Sequence, residues 1–258
     1  MLRLFTMLVV VFLLTPILVV FAVAFTELDY ISFPPKGFTL RWFTELGHRR
    51  EFVDSFLLSL SIATVASIVS TVLGSMIAIA LSRYRFKGRD VLTSVFLSPL
   101  ILPGVVIGLS LLQFYSKIGL SITFAGLLFG HIIITAPYAV RLIIAGLAST
   151  DPNLEWAAMG LGAPPLRAFL SITAPLMRTA VIGALFFTFI ASFDNVTISV
   201  FLANPGIVTL PVRIYTSLEF LVRPNLAALS VLIIAWNVVF LVILERLVGV
   251  EKLYATPS

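Results

Sequence analysis

Apolar positions in this chain come in long runs. Six of them reach the roughly 20 residues that a helix needs to cross a hydrocarbon core about 30 Å thick. They are Leu4–Phe25, Phe56–Leu81, Val91–Phe114, Ile122–Leu147, Ala180–Ala203 and Ala227–Leu244. Each predicts a membrane-spanning helix. The first also carries Arg3 in front and Ala22-Val23-Ala24 behind, which resembles a secretory leader with its cleavage site. Its apolar stretch, however, is about 22 residues long, against about 7–15 for a leader. An uncleaved first helix is expected.

Composition agrees. Apolar residues make up 60% of the 258 residues, charged residues 11%, and the mean hydropathy is +1.12. A globular domain is about 45–50% apolar and about 25% charged. So few charges could not cover so apolar a surface, which excludes a soluble enzyme and a disordered chain. The expected fold class is an all-α polytopic membrane protein, one membrane domain over residues 1–258. There is no cysteine, hence no thiol nucleophile, disulfide or Cys-ligated metal, and His48 and His131 are the only histidines. A protein-built metal site is not expected. The net charge of +5 is spread over short loops and reads as a topology signal, not as a nucleic-acid footprint.

The loop Ser82–Asp90 holds Arg83, Arg85, Lys87 and Arg89 against Asp90 alone. Short basic loops stay in the cytoplasm. Alternation then places both termini and the loop Ala148–Thr179 there too, with ten cations inside and seven outside. The outer segments are Thr26–Ser55, Tyr115–Ser121 and Asn204–Asn225. The first reads as an irregular cap. The last holds Pro205, Pro211 and Pro224 but is too apolar for a solvated loop. It is expected to fold back on the membrane face or dip into the bundle, where protein can cover its backbone.

Within the second span, Ser59, Thr64, Ser67, Thr71 and Ser75 fall close to one face and suit helix packing or, alternatively, a polar path. The third carries Pro99, Pro103, Gly104 and Gly108, and the fourth Gly126, Gly130 and Pro137. Interior prolines kink helices, and broken helices suit either a moving machine or static bends. Asp194 is the only acid inside a predicted span, halfway along the fifth, beside Phe193 and Asn195 and near Phe187. An intramembrane carboxylate faces a bundle interior or a watery cavity. It serves either as a buried hydrogen-bonding group or on a substrate route, where carboxylate and aromatic faces suit an ammonium.

The loop 148–179 is the most structured. Asp151 can cap a helix, Pro152 suits its first position, and Glu155 meets the positive end of its dipole. Gly162 suits its stop. Pro164 and Pro165 can open a second short helix through Leu170, followed by Pro175. Leu154, Trp156, Ala158 and Leu161 need cover. The loop reads as a docking element, or as an amphipathic loop on lipid headgroups.

The stretch Leu154-Glu155-Trp156-Ala157-Ala158, then Leu161-Gly162-Ala163, Phe169, Ile172 and Ala174-Pro175, resembles the EAA motif of permease subunits in binding-protein-dependent ABC importers. Aligned on Ala157-Ala158 and Gly162, Trp156 stands where that family most often has Glu. The acid is Glu155, one position earlier, and Ala174 replaces the usual Leu before Pro175. Arg83 to Arg89, Ser98 to Val106, Gly130-His131, Pro137 to Arg141, Ser192 to Asn195, Phe201-Leu202 and Thr209 to Val212 are similar to polyamine-type permeases, most of all the C-type subunit of spermidine/putrescine importers. The resemblance covers nearly the whole chain.

It implies a type I importer permease of six transmembrane helices in the bacterial inner membrane, forming half of a pathway. It also implies a second, homologous permease subunit, two ATPase subunits and a periplasmic or lipid-anchored binding protein. Asp151, Glu155, Ala157, Ala158, Leu161, Gly162, Ala163 and Pro175 then belong to the ATPase-coupling element. ATP and Mg would sit on the ATPase, with no cofactor in this chain and no catalysis by it; the chain has no GxxxxGK[ST] loop. Relatives carry polyamines, iron(III), phosphonates, thiamine or amino-acid-like solutes. A secondary transporter would need several intramembrane polar groups or an internal repeat. A membrane enzyme would need a cluster of reactive groups, and His131 stands alone in an apolar run, where it suits packing or hydrogen bonding.

Overall fold

The computed structural model describes residues 2–120, 122–148, 150–220 and 223–248. Ser149, Leu221 and the chain after residue 248, with the expected cytoplasmic C-terminus, lie outside the described residues. Among those described, regular structure is helical apart from one isolated bridge between Asn204 and Ile207.

The helices are α1 (Leu2–Ala24), α2 (Arg41–His48), α3 (Arg50–Arg83), α4 (Arg89–Leu97), α5 (Gly104–Lys117), α6 (Phe124–Ala148), α7 (Asn153–Gly160), α8 (Pro165–Ala168), α9 (Ala174–Phe193), α10 (Leu210–Phe220) and α11 (Pro224–Val248). A π-helical turn, Phe169–Thr173, joins α8 to α9. Five helical runs are long and apolar enough to cross a membrane, or six if a bent pair counts as one span.

Residues 2–57 and 210–243 form one compact unit; 58–209 form another, with which residues 244–248 group. In the first, the expected cap is ordered. The Trp42 indole donates to the Thr26 carbonyl (2.7 Å), Arg41 pairs with Asp29 (2.7 Å), and Phe25 stacks on Phe38.

The second unit is built on small residues. A Cβ on Gly74 would lie 2.6 Å from Ala139 Cβ, and one on Gly146 only 2.3 Å from Ala180 Cβ. With Ala78 and Ala184 fully buried beside them, α3, α6 and α9 approach backbone to backbone, as helices must where lipid offers no hydrophobic drive.

Two spans differ from expectation. The third is not one kinked helix: Arg89–Leu100 and Gly104–Lys117 meet at 99°. Pro99 sits in the 3₁₀ turn Ser98–Leu100 that closes the first arm, and Pro103 directly precedes α5, where its missing N–H costs nothing. Pro137 does lie inside α6, buried. Gly104 and Gly108 face Thr197, Ile198 and Phe201, while Gly126 and Gly130 face Tyr115 and Leu202.

The fifth span also shifts. Its last helix, α9, runs twenty residues from Ala174 and stops at Phe193, so Asp194 is the residue after the helix and not its middle. Short polar side chains compete for backbone groups: Asn195 Oδ1 accepts from the Ile198 N–H (3.0 Å), and the chain turns. Residues 196–202 then fold as turns whose Ile198 and Leu202 are fully buried among Ile62, Ile107, Tyr115 and Leu127. The non-helical stretch expected at Asn204–Asn225 thus starts ten residues earlier, and much of that segment is α10.

Candidate functional site

Two regions of the second unit carry the candidate chemistry. At the first, Asp151 Oδ1 accepts from the Asn153 N–H (2.9 Å) and opens α7. Its other end closes on Gly162, at φ +92°. There the Gly162 N–H reaches Met159 O (3.0 Å) and the Ala163 N–H reaches Ala158 O (3.1 Å). That pair of bonds is a Schellman closure, which satisfies the last carbonyls of the helix. The sequence-predicted cap and stop both hold.

The second short helix does not end at Leu170. It continues through the π turn into α9, giving an unbroken run from Pro165 to Phe193. A proline ring clashes with the carbonyl four residues back, here Ser171, unless the turn widens. The π turn supplies that width.

Around α7 the side chains divide. Trp156 on α7 is 70% exposed, Leu161 just past its end 91%, Leu166 on α8 70% and Leu170 in the π turn 58%. Ala157 is exposed and Ala158 half-buried. Glu155 points the other way. Its Oε2 accepts from Thr173 Oγ1 (2.5 Å) and lies 3.9 Å from the Arg83 guanidinium. Arg83 and Tyr84, at the start of the basic loop, share one cleft with Glu155, Trp156, Met159 and Phe169. The loops 82–90 and 148–179 therefore lie on the same face, as the alternation of spans requires.

The second region surrounds the end of α9. Asp194 is exposed and Asn195 half-buried. Phe193 is buried and stacked on Phe189 (5.8 Å), so its ring is taken up within the fold. Phe187, seven residues before Asp194, falls on the same helical face; it is exposed and tilted against Tyr138 (5.1 Å). The structure thus brings Asp194 and Phe187 to one face and puts Phe193 on another.

His131 packs and hydrogen-bonds as its place in an apolar run suggests, but sequence reading missed its partners: it is buried, with Nδ1 2.7 Å from Ser192 Oγ and Nε2 3.0 Å from Ser199 Oγ. Ser70 bonds Thr135 across to α6 (2.7 Å). It lies outside the predicted hydroxyl face, of which Thr64, Ser67 and Ser75 bond back to carbonyls of α3. Polar groups spaced 61 and 68 residues apart leave no local signal.

Residues 70–249 match the family described as binding-protein-dependent transport system inner membrane component. The chain belongs to this family. The permease is an inner-membrane component of ABC importer type. It is 30% identical over 244 residues to the spermidine/putrescine transport system permease protein PotC of Haemophilus influenzae, covering 95% of this chain and 94% of that one. It is 33% identical over 205 residues to the putrescine transport system permease protein PotI of Escherichia coli, covering 77% and 73%. A putative 2-aminoethylphosphonate transport system permease protein of Salmonella paratyphi A is 29% identical, with 94% and 91% covered. Among solved structures, a bacterial ABC transporter involved in alginate import contains a chain with a TM-score of 0.72 at 17% identity, covering 98% of the permease and 96% of that chain.

Proposed function

We propose that the permease forms half of the membrane pathway of an ATP-driven polyamine importer. A second, homologous permease supplies the other half. Two ATPase subunits, which hold ATP and Mg, dock on the α7 face in the cytoplasm, and a periplasmic or lipid-anchored binding protein delivers the solute. The chain itself catalyses nothing. The observation that carries this is α7, closed at both ends and presenting Leu161 and Trp156 to the outside. Burying such a side chain in a partner is worth about 1.5–3 kcal/mol. The basic loop 82–90 on the same face supports a cytoplasmic side.

For the solute, the family relatives named for spermidine and putrescine support a polyamine. Asp194 follows the C-terminal end of α9, whose carbonyls carry partial negative charge. Phe187 lies about 10 Å along the same face at 1.5 Å per residue. A solute with spaced ammonium groups could meet the carboxylate with one and the Phe187–Tyr138 aromatic pair with another. Neither contact is enclosed, which suits passage over retention.

Purification from the native membrane tests the assembly. An ATPase and a second permease should accompany the chain, and Leu161→Asp should cut ATPase recovery about tenfold or more. Uptake by the purified chain alone would overturn the reading in favour of a secondary transporter. Competition of putrescine uptake by spermidine against 2-aminoethylphosphonate tests the solute.

A further inference from the structure

We propose that Glu155 is an internal positioning residue, a strut that ties α7 to the start of α9, and is not the contact to the ATPase. The inference rests on the reading of α7 as the coupling element and adds how its movement reaches the pathway.

The carboxylate faces inward. Its side chain is 22% exposed and that of Arg83 19%, and Thr173 is 2% exposed. Two independent partners hold it: the Thr173 hydroxyl donates to it, and the Arg83 guanidinium balances its charge. A hydrogen bond to a charged acceptor shielded from water is among the stronger polar contacts in a protein. The apolar residues flanking it point outward. The side of α7 that a partner would meet is therefore apolar, and the acid is engaged behind it.

Where the strut lands gives it a mechanical meaning. Thr173 is the last residue of the π turn and directly precedes α9. By chain alone, α7 connects to α9 through Leu161–Pro164, which turns at a glycine with positive φ and is a poor lever. The carboxylate bypasses that turn. From Thr173, α9 runs twenty residues, about 30 Å at 1.5 Å per residue, to Phe193 and Asp194. It is packed against α6 by the Gly146–Ala180 approach and so moves as a rod. π turns recur at functional sites because the extra residue can be taken up or released. A side-chain bond at its final residue fixes which.

Arg83 closes the triangle from α3. A push on α7 is thus shared between the end of α3 and the start of α9, the two helices packed against α6 in the small-residue core.

The test uses the assembled importer, nucleotide-free and trapped with ATP and vanadate. The chain lacks cysteine, so Val200→Cys, exposed beyond the end of α9, reports movement there by its rate of labelling with a maleimide. Trapping should change that rate in the Val200→Cys background. Adding Thr173→Val or Glu155→Ala should reduce the change about tenfold, as loss of a charge-assisted bond would. The pair together should do no more than either alone. Thr173→Ser, which keeps the hydroxyl, should restore the change, a rescue that a packing defect would not show. ATPase recovery should stay at wild-type level in all of them. The strut is overturned if trapping changes nothing at residue 200, if Thr173→Val keeps the full change, or if Glu155→Ala loses the ATPase while Thr173→Val behaves as wild type. Failure of the coupling reading shows separately, as full ATPase recovery with Leu161→Asp.

Discussion

His131 Nε2 lies 3.0 Å from Ser199 Oγ, and that hydroxyl donates its one proton to the Asn195 carbonyl at 2.7 Å. Ser199 can then only accept from the ring, which puts the imidazole proton on Nε2. Nδ1 faces Ser192 Oγ, 2.7 Å away. One ring therefore joins α6, the last turn of α9 and the buried turn beyond it. Replacing it by Ala leaves the Ser192 hydroxyl without this partner in a buried site, and each such loss costs about 1–3 kcal/mol. His131→Ala should lower the thermal unfolding temperature in detergent by several degrees. His131→Gln, which can donate and accept, should recover part of it.

Gly162 gives a second prediction, because what limits it is backbone and not space. A Cβ there meets nothing within 4 Å, but φ is +92°. A left-handed conformation costs a residue with a side chain roughly 1–2 kcal/mol. Gly162→Ala should therefore weaken the isolated permease as much as Gly162→Trp does, measured by thermal unfolding, and Gly162→Asn less than either. A bulk-dependent series would contradict the assignment.

How far the sequence carried depends on what marks a helix end in an apolar chain. α1, α3, α6 and α11 contain the predicted runs nearly end to end, since charged or polar residues flank them. Pro99, Pro103 and Gly104 marked the third span as broken but not how sharply, because Ile101 and Leu102 are as apolar in a loop as in a helix. The end of α9 hid for the same reason: Val196 to Leu202 is an apolar turn buried in protein, so hydropathy runs straight through Asp194. Capping chemistry, in contrast, is local, and Asp151, Pro152 and Gly162 gave α7 to within a residue. The partners of Glu155, 18 residues ahead and in α3, are set by packing and had no pattern to reveal them. The resemblance alone placed the acid in the coupling element.

The basic loop and α7 share a face, so one topology experiment fixes both. Single cysteines at Lys87, Lys117 and Arg167 can be introduced without background. In intact cells a membrane-impermeant thiol reagent should reach only the Lys117 position; all three should react after lysis. Labelling at Lys87 in sealed cells would invert the orientation and place α7 outside the cytoplasm.

Asp194 is the sharpest test of the solute. As the residue after α9 it adds a full charge to the negative end of the helix dipole, a repulsive placement that helices avoid without compensation. An arriving ammonium would supply that compensation. Asp194→Asn keeps the shape and the Asp194 N–H bond to Ile190 O (3.0 Å) while removing the charge. Relief of the dipole clash should leave stability unchanged or raised by about 0.3–1 kcal/mol. Putrescine uptake should fall about tenfold, with complex assembly and basal ATP hydrolysis intact, if the lost contact is worth about 1.4 kcal/mol in a partly desolvated path. Phe187→Leu should reduce uptake less, because it removes an aromatic face and no charge. Uptake of putrescine at wild-type rate by Asp194→Asn would remove the acid from the pathway.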